Sequence, residues 1–325
     1  LNHFQRYLVE EFAEDYQEGQ LTRRDALKLI AGVTGSFMAA SSILAACTPA
    51  AEVTLSTEAP AASEISGTES THPTSIASAA PPSSEPAAYG TVKPEDPDID
   101  AGDIEFSGAD TPIKGYQAKP IQTEEKRPVL LICHENRGLT DHIKDVTRRF
   151  GKAGYIALAV DLLSRQGGTA SLDPSDVPGI LGNTAPDQFV QDFYNGWHYL
   201  QGLPSAQADR VGMVGFCFGG GVTWLMATRM RELKAAVPYY GPHPPLEDVP
   251  EIQAAVLAIY GANDQRINAG IPEIEAAMKA ADKIFEKIIY PDAGHAFNND
   301  TSDRYAPEAA RDAWNQTLTW FGKYV

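Results

Sequence analysis

Apolar residues in this chain gather into short dense runs separated by stretches with helical spacing. Val129-Leu130-Leu131-Ile132-Cys133 is apolar at every position, the pattern of a strand buried on both faces of a parallel sheet. Residues 155–160, 211–216, 234–240, 254–260 and 287–290 read the same way. Ahead of them, 103–107 and 113–119 alternate only in part and are broken by 108–112, which predicts an edge pair of antiparallel strands. Helical spacing fills the intervals at 141–153, 186–202, 222–230 and 271–282. Phe189, Phe193, Trp197 and Leu200 share one helix face, and Ala310, Ala313, Trp314, Thr317, Leu318 and Phe321 form the stripe of a last helix. Residues 164–185 form a long irregular insertion, more often functional than not. The alternation predicts an α/β domain over 103–325, a mostly parallel central sheet with helices on both faces. No internal repeat is visible.

The first hundred residues follow other rules. Residues 1–21 are polar and acidic, with Phe4, Tyr7, Leu8 and Phe12 at helical spacing. Thr22-Arg23-Arg24-Asp25-Ala26-Leu27-Lys28 resembles a twin-arginine export signal, with Ala26 where a Phe is usual. Residues 29–46 carry no charge over 18 positions, and Leu44-Ala45-Ala46-Cys47 is similar to a bacterial lipobox. Residues 1–47 are therefore expected to be a leader, cut before Cys47, whose thiol would carry the lipid. The protein would leave by the twin-arginine route and stay anchored on the outer face of the cell membrane. The competing reading is a retained anchor, but 18 residues poor in Leu, Ile and Phe are short for spanning a bilayer. A core helix is disfavoured because an uncharged run has no polar face. Residues 48–102 collapse to Ala, Ser, Thr, Pro and Glu and are expected to be a disordered linker.

Composition narrows the partners. The chain has 325 residues, 43% of them hydrophobic, enough for one large α/β domain and its extensions. Its formal net charge of -17 argues against nucleic acid and against electrostatic attachment to anionic lipid. Three cysteines make no disulfide framework, and no two stand at metal-ligand spacing. No metal or cofactor is expected.

The chemistry centres on Gly215-Phe216-Cys217-Phe218-Gly219-Gly220. An apolar run leads in, a helical pattern leads out, and glycines stand two before and two after a lone cysteine. That is the strand–turn–helix spacing of a nucleophile elbow with Cys in place of Ser. The plainer reading is a glycine-rich turn around a structural thiol. Asp264 and His295 argue against it. Each follows a predicted strand, at the edge where open α/β sheets place their ligands, and the chain order nucleophile, acid, base is that of the α/β hydrolases. His295 would take the thiol proton and Asp264 would hold the imidazole. The oxyanion hole would use the backbone N–H of Phe218 and that of Asn136. Cys133, among aliphatics, reads as a buried inert thiol. Tyr240 ends its strand at the catalytic edge and could line the pocket. The four tryptophans fall on helical stripes and read as core.

From about residue 103 to the end the chain resembles the dienelactone hydrolase (carboxymethylenebutenolidase) family. The matching pieces are the elbow, Gly261-Ala262-Asn263-Asp264, Gly294-His295-Ala296-Phe297, Asp161-Leu162-Leu163-Ser164-Arg165 and Glu135. The resemblance implies an α/β-hydrolase fold and a thioester mechanism on an ester or lactone, with Glu135 contacting the resting thiol and assisting its deprotonation. The bland alternative for Glu135 is an ion pair with Arg137 or Arg165. The family holds a substrate carboxylate with arginines, one of them four residues beyond the catalytic His. This chain has Asn299 there, leaving Arg137 and Arg165, with Tyr240 and Phe297, as candidate substrate contacts. The expected partners are a small ester or lactone, the export machinery and a membrane reached through the lipid alone. The chain is expected to be a monomer. A thioesterase or acyltransferase on the same scaffold, or a surface lipoprotein that only binds, stays open.

Overall fold

The structure, a computed structural model, describes residues 1–46, 90–121 and 125–325. Cys47 and residues 48–89 of the expected linker lie outside the described residues.

Three helices come first: α1 (His3–Gln17), α2 (Arg23–Thr34) and α3 (Phe37–Ala46). The sheet then builds from β1 (Ile99–Phe106), β2 (Ile113–Pro120) and β3 (Arg127–Cys133). It continues through α4 (Asp141–Lys152), β4 (Ile156–Val160), α5 (Val177–Asn183), α6 (Pro186–Gln201), β5 (Ala206–Phe216) and α7 (Phe218–Arg229). Next come β6 (Ala235–Tyr239), β7 (Ala255–Gly261), α8 (Gln265–Asn268), α9 (Ile271–Ala280), β8 (Phe285–Tyr290) and α10 (Pro307–Tyr324). The eight strands lie in the order β1-β2-β4-β3-β5-β6-β7-β8. Only the β1–β2 and β2–β4 pairs are antiparallel. Strand order reverses at β3, with β4 on one side and β5 on the other, so a crevice opens beyond the C-terminal ends of β3 and β5. Phe150 of α4 packs on Trp314 and Phe321 of α10 over one face of the sheet. Phe189 of α6 meets Phe218 of α7 over the other. The tryptophans are core, Trp224 completely so.

Three expectations change. The folded part begins before residue 103: β1 starts at Ile99, and Val92 is buried with its N–H donated to Asp145 Oδ1. Helix α7 begins at Phe218 rather than 222, because the elbow turns straight into it. The uncharged run 29–46 is neither one long helix nor excluded from a core. It breaks after Thr34, where Gly35 closes α2 in the left-handed region (φ 69). Leu29, Ile30, Val33, Ala40 and Leu44 are buried. No helix among the described residues is long and apolar enough to cross a membrane.

The insertion explains where this segment goes. Helix α5 offers Gly179 and Gly182 to the N-terminal helices, and a Cβ on Gly179 would stand 3.0 Å from the Gly32 carbonyl carbon. Polar bonds close the seam: Asn2 Nδ2 donates to the Gly182 carbonyl (3.2 Å) and Asn183 Nδ2 to that of Gly32 (3.0 Å).

Candidate active site

The elbow forms because two glycines let backbones touch. A side chain on Gly215 would meet the Gly219 carbonyl oxygen at 2.1 Å, and one on Gly219 would meet that of His134 at 2.4 Å. Both contacts are shorter than any real Cβ tolerates, so only glycine closes this turn. Cys217 itself sits at φ 58, ψ -120, strained for a residue with a side chain. Its N–H is tied to the Tyr239 carbonyl at 3.1 Å. Phe218 is the first residue of α7, so its N–H belongs to the donors that a helix leaves free at its start.

The other two members arrive on the ends of β7 and β8. Asp264 caps α8, accepting from the Ile267 N–H at 3.3 Å with one carboxylate oxygen. The other oxygen accepts from His295 Nδ1 at 2.6 Å. His295 in turn lies against the Cys217 thiol. The sequence-predicted triad is brought together, and Asp264 is 2% exposed.

The charges of the trio are mutually set. Burial works against a carboxylate at Asp264, but the His295 imidazole holds its pKa below the ordinary value. Burial likewise opposes an imidazolium at His295, yet the Asp264 carboxylate raises it well above the ordinary histidine range. The Cys217 thiol is pushed up by burial and then by Glu11, against the opposing pull of His295. Cys133, fully buried, is pushed well up by burial and touches none of this chemistry directly.

The remaining predicted residues separate. Glu135 is buried, but its hydrogen bond comes from Asn299 Nδ2 (2.8 Å), not from the thiol and not from an arginine. Burial raises its pKa. Arg165 does not face the site. It forks between Asp110 and the buried Asp192, at 2.7 and 2.8 Å. Arg137 is exposed on its loop. Tyr240 sets its ring edge-on to His295, with centroids 5.2 Å apart. Phe297 is wholly buried against Tyr239, Tyr240 and Tyr290. Asn136 commits its side chain to Glu11, at 2.8 Å. Arg23 and Arg24 are exposed in the first turn of α2.

Sequence reasoning misses the residues nearest the thiol. The Tyr7 hydroxyl lies 3.2 Å from Cys217 Sγ and 3.5 Å from His295 Nε2. The thiol donates to Glu11 Oε1 at 3.5 Å. Both belong to α1, whose Phe4, Leu8 and Phe12 are buried beside them. The helical spacing of those apolar residues is the only sign in the sequence, and it names no docking surface. Glu11, Cys217 and His295 place their ligand atoms within 4.8 Å of one another, near enough to reach one ion. Each of these atoms also has a protein partner: Glu11 Oε1 accepts from Asn136 Nδ2, and the Tyr7 hydroxyl lies 3.2 Å from Cys217 Sγ and 3.5 Å from His295 Nε2.

Comparison with known proteins identifies the fold. The model of the "Dienelactone hydrolase family" matches residues 113–325. A Methylorubrum extorquens protein named "Putative carboxymethylenebutenolidase" is 34% identical over 251 residues, spanning 73% of this chain and 86% of its own length. An Escherichia coli K12 protein of the same name is 33% identical over 260 residues, spanning 75% of this chain and 94% of its own. The crystal structure titled "Putative Dienelactone Hydrolase" from Klebsiella pneumoniae matches with a TM-score of 0.66 at 30% identity, covering 70% of this chain and 99% of that one. The family match starts after α3, so the three N-terminal helices lie outside it.

Proposed function

Because the chain belongs to the dienelactone hydrolase family, and so to the carboxylic ester hydrolases, we propose that it cleaves small esters or lactones through a Cys217 thioester. The observation that carries the reading is the strained Cys217 on its elbow beside an imidazole held by Asp264 at 2.6 Å. His295 in its neutral form accepts the thiol proton at Nε2, and the sulfur attacks the substrate carbonyl. The developing oxyanion takes hydrogen bonds from the backbone N–H groups of Phe218 and Asn136. Precedent gives one such donor about 3 kcal/mol of transition-state stabilisation. The leaving alkoxide or enolate collects its proton from His295. Water, activated by the same imidazole, then hydrolyses the thioester. Asp264 fixes the imidazole tautomer throughout. Glu135, within reach of the field of both Cys217 and His295, assists as a second buried acid.

Turnover of p-nitrophenyl acetate is the direct test. Cys217→Ala should abolish it and Cys133→Ala should leave it standing, with an acetylated Cys217 peptide trapped by acid quench. Equal activity in Cys217→Ala would sink the thioester mechanism. Absence of turnover in every form would favour a protein that only binds.

We further propose that residues 1–47 serve as a twin-arginine lipoprotein leader, so that the catalytic domain ends outside the cell membrane on a lipid at Cys47. Exposure of Arg23 and Arg24 in the folded chain supports this reading, since a receptor can reach them.

A further inference from the structure

The geometry points to residues 1–46 as a built-in inhibitor, seated on the catalytic face until it is removed. A substrate carbonyl must come within about 3–3.5 Å of the attacking sulfur and near the base. The Tyr7 hydroxyl already occupies that place, 3.2 Å from Cys217 Sγ and 3.5 Å from His295 Nε2. Glu11 takes the thiol proton's hydrogen bond and the Asn136 side chain, groups at the mouth of the elbow. Cys217 is left 4% exposed. A cavity beside the triad, about 240 Å³ and lined by Glu11, Asp264, Arg266, His295 and Arg304 among others, does not have Cys217 in its wall.

The helix is held by contacts made for it. Phe4 sets its ring edge-on to Phe189 and tilted against Phe218, with centroids 5.5 and 5.0 Å away. The Arg266 guanidinium covers the Tyr7 ring at 4.8 Å and donates to Glu14 at 2.8 Å, and Arg304 bonds Asp15. An acidic helix thus sits on two arginines at the catalytic mouth. The arrangement is also detachable. Helix α3 ends at Ala46, one residue before Cys47, so a single cut there frees α1, α2 and α3 as one piece. The expected export leader and the inhibitor are then the same segment, and the enzyme is switched on where its leader is lost. This inference rests on the hydrolase reading only for its activity assay, because access to the thiol can be read without it.

The test uses the full chain. Phe4→Ala combined with Glu14→Arg and Asp15→Arg loosens α1 without touching Tyr7, Glu11 or the triad. Iodoacetamide labelling of Cys217, followed by peptide mass spectrometry, and p-nitrophenyl acetate hydrolysis are measured side by side. Both rates should rise at least about tenfold, the shift expected if a mostly closed equilibrium is tipped open. Adding Arg304→Asp to the Asp15→Arg change restores that ion pair with its polarity reversed, and should bring both rates back toward the parent. In a second arm, a protease site placed among residues 60–70 lets the folded chain be cut after purification. Labelling should then speed up as the cut protein is diluted. Faster labelling with no hydrolysis in any form supports the inhibitor and defeats the hydrolase reading. Faster labelling with slower hydrolysis than the parent overturns the inhibitor, because α1 would then be supplying a catalytic group. Labelling as fast in the parent as in the loosened and cut forms overturns it as well.

Discussion

A carboxylate beside a thiol opposes the thiolate, and that is the position of Glu11. Burial and Glu11 both push the Cys217 thiol up, while His295 pulls it down. Glu11→Gln keeps the shape and the bond to Asn136 but removes one upward cause. The midpoint of the pH profile for Cys217 alkylation should therefore move to lower pH than in the parent. An unmoved or higher midpoint would show that Glu11 does not govern the thiol. Glu135, by contrast, accepts a hydrogen bond from Asn299 Nδ2 at 2.8 Å, four residues beyond His295.

At the scale of elements, the insertion between β4 and α6 does two jobs. Its helix α5 receives the N-terminal helices, and Arg165 near its start locks α6 through Asp192, whose side chain is 0% exposed. Arg165→Met should remove about 3 kcal/mol of stability in urea unfolding, because a buried carboxylate loses its partner. KM for a small ester should not change. A raised KM at unchanged stability would return Arg165 to substrate binding. The strands are readable in the sequence because a strand buried on both faces is apolar at every position, as 129–133 is. The triad is readable because the elbow needs glycines at fixed places and the acid and base must follow strands. The start of β1 is not, since Ile99 lies in a stretch whose composition matches a linker. Nor is the site of α1: the spacing of Phe4, Leu8 and Phe12 declares a face, while the surface that covers it is assembled from α5, α6 and α7.

At the scale of the whole molecule, the proposed export signal and the packing meet on α2. Its buried side faces α5 while Arg23 and Arg24 stay exposed at its first turn. A folded, capped chain can therefore still present the pair, which suits a route that carries folded proteins. Exchanging both for Lys should leave the protein inside the cell with residues 1–46 attached, as read by fractionation and intact mass. Normal export of that variant would remove the twin-arginine assignment.

The bond between Arg304 and Asp15 joins residues 289 positions apart. During synthesis α1 leaves the ribosome long before the arginine that receives it. For nearly the whole of translation the face bearing Phe4, Leu8 and Phe12 has no finished surface to meet, since such distant contacts form late. A helix made early is placed late. Its docking thus serves as a receipt: a chain interrupted anywhere before β8 and the loop beyond it lacks His295 and Arg304 and cannot close.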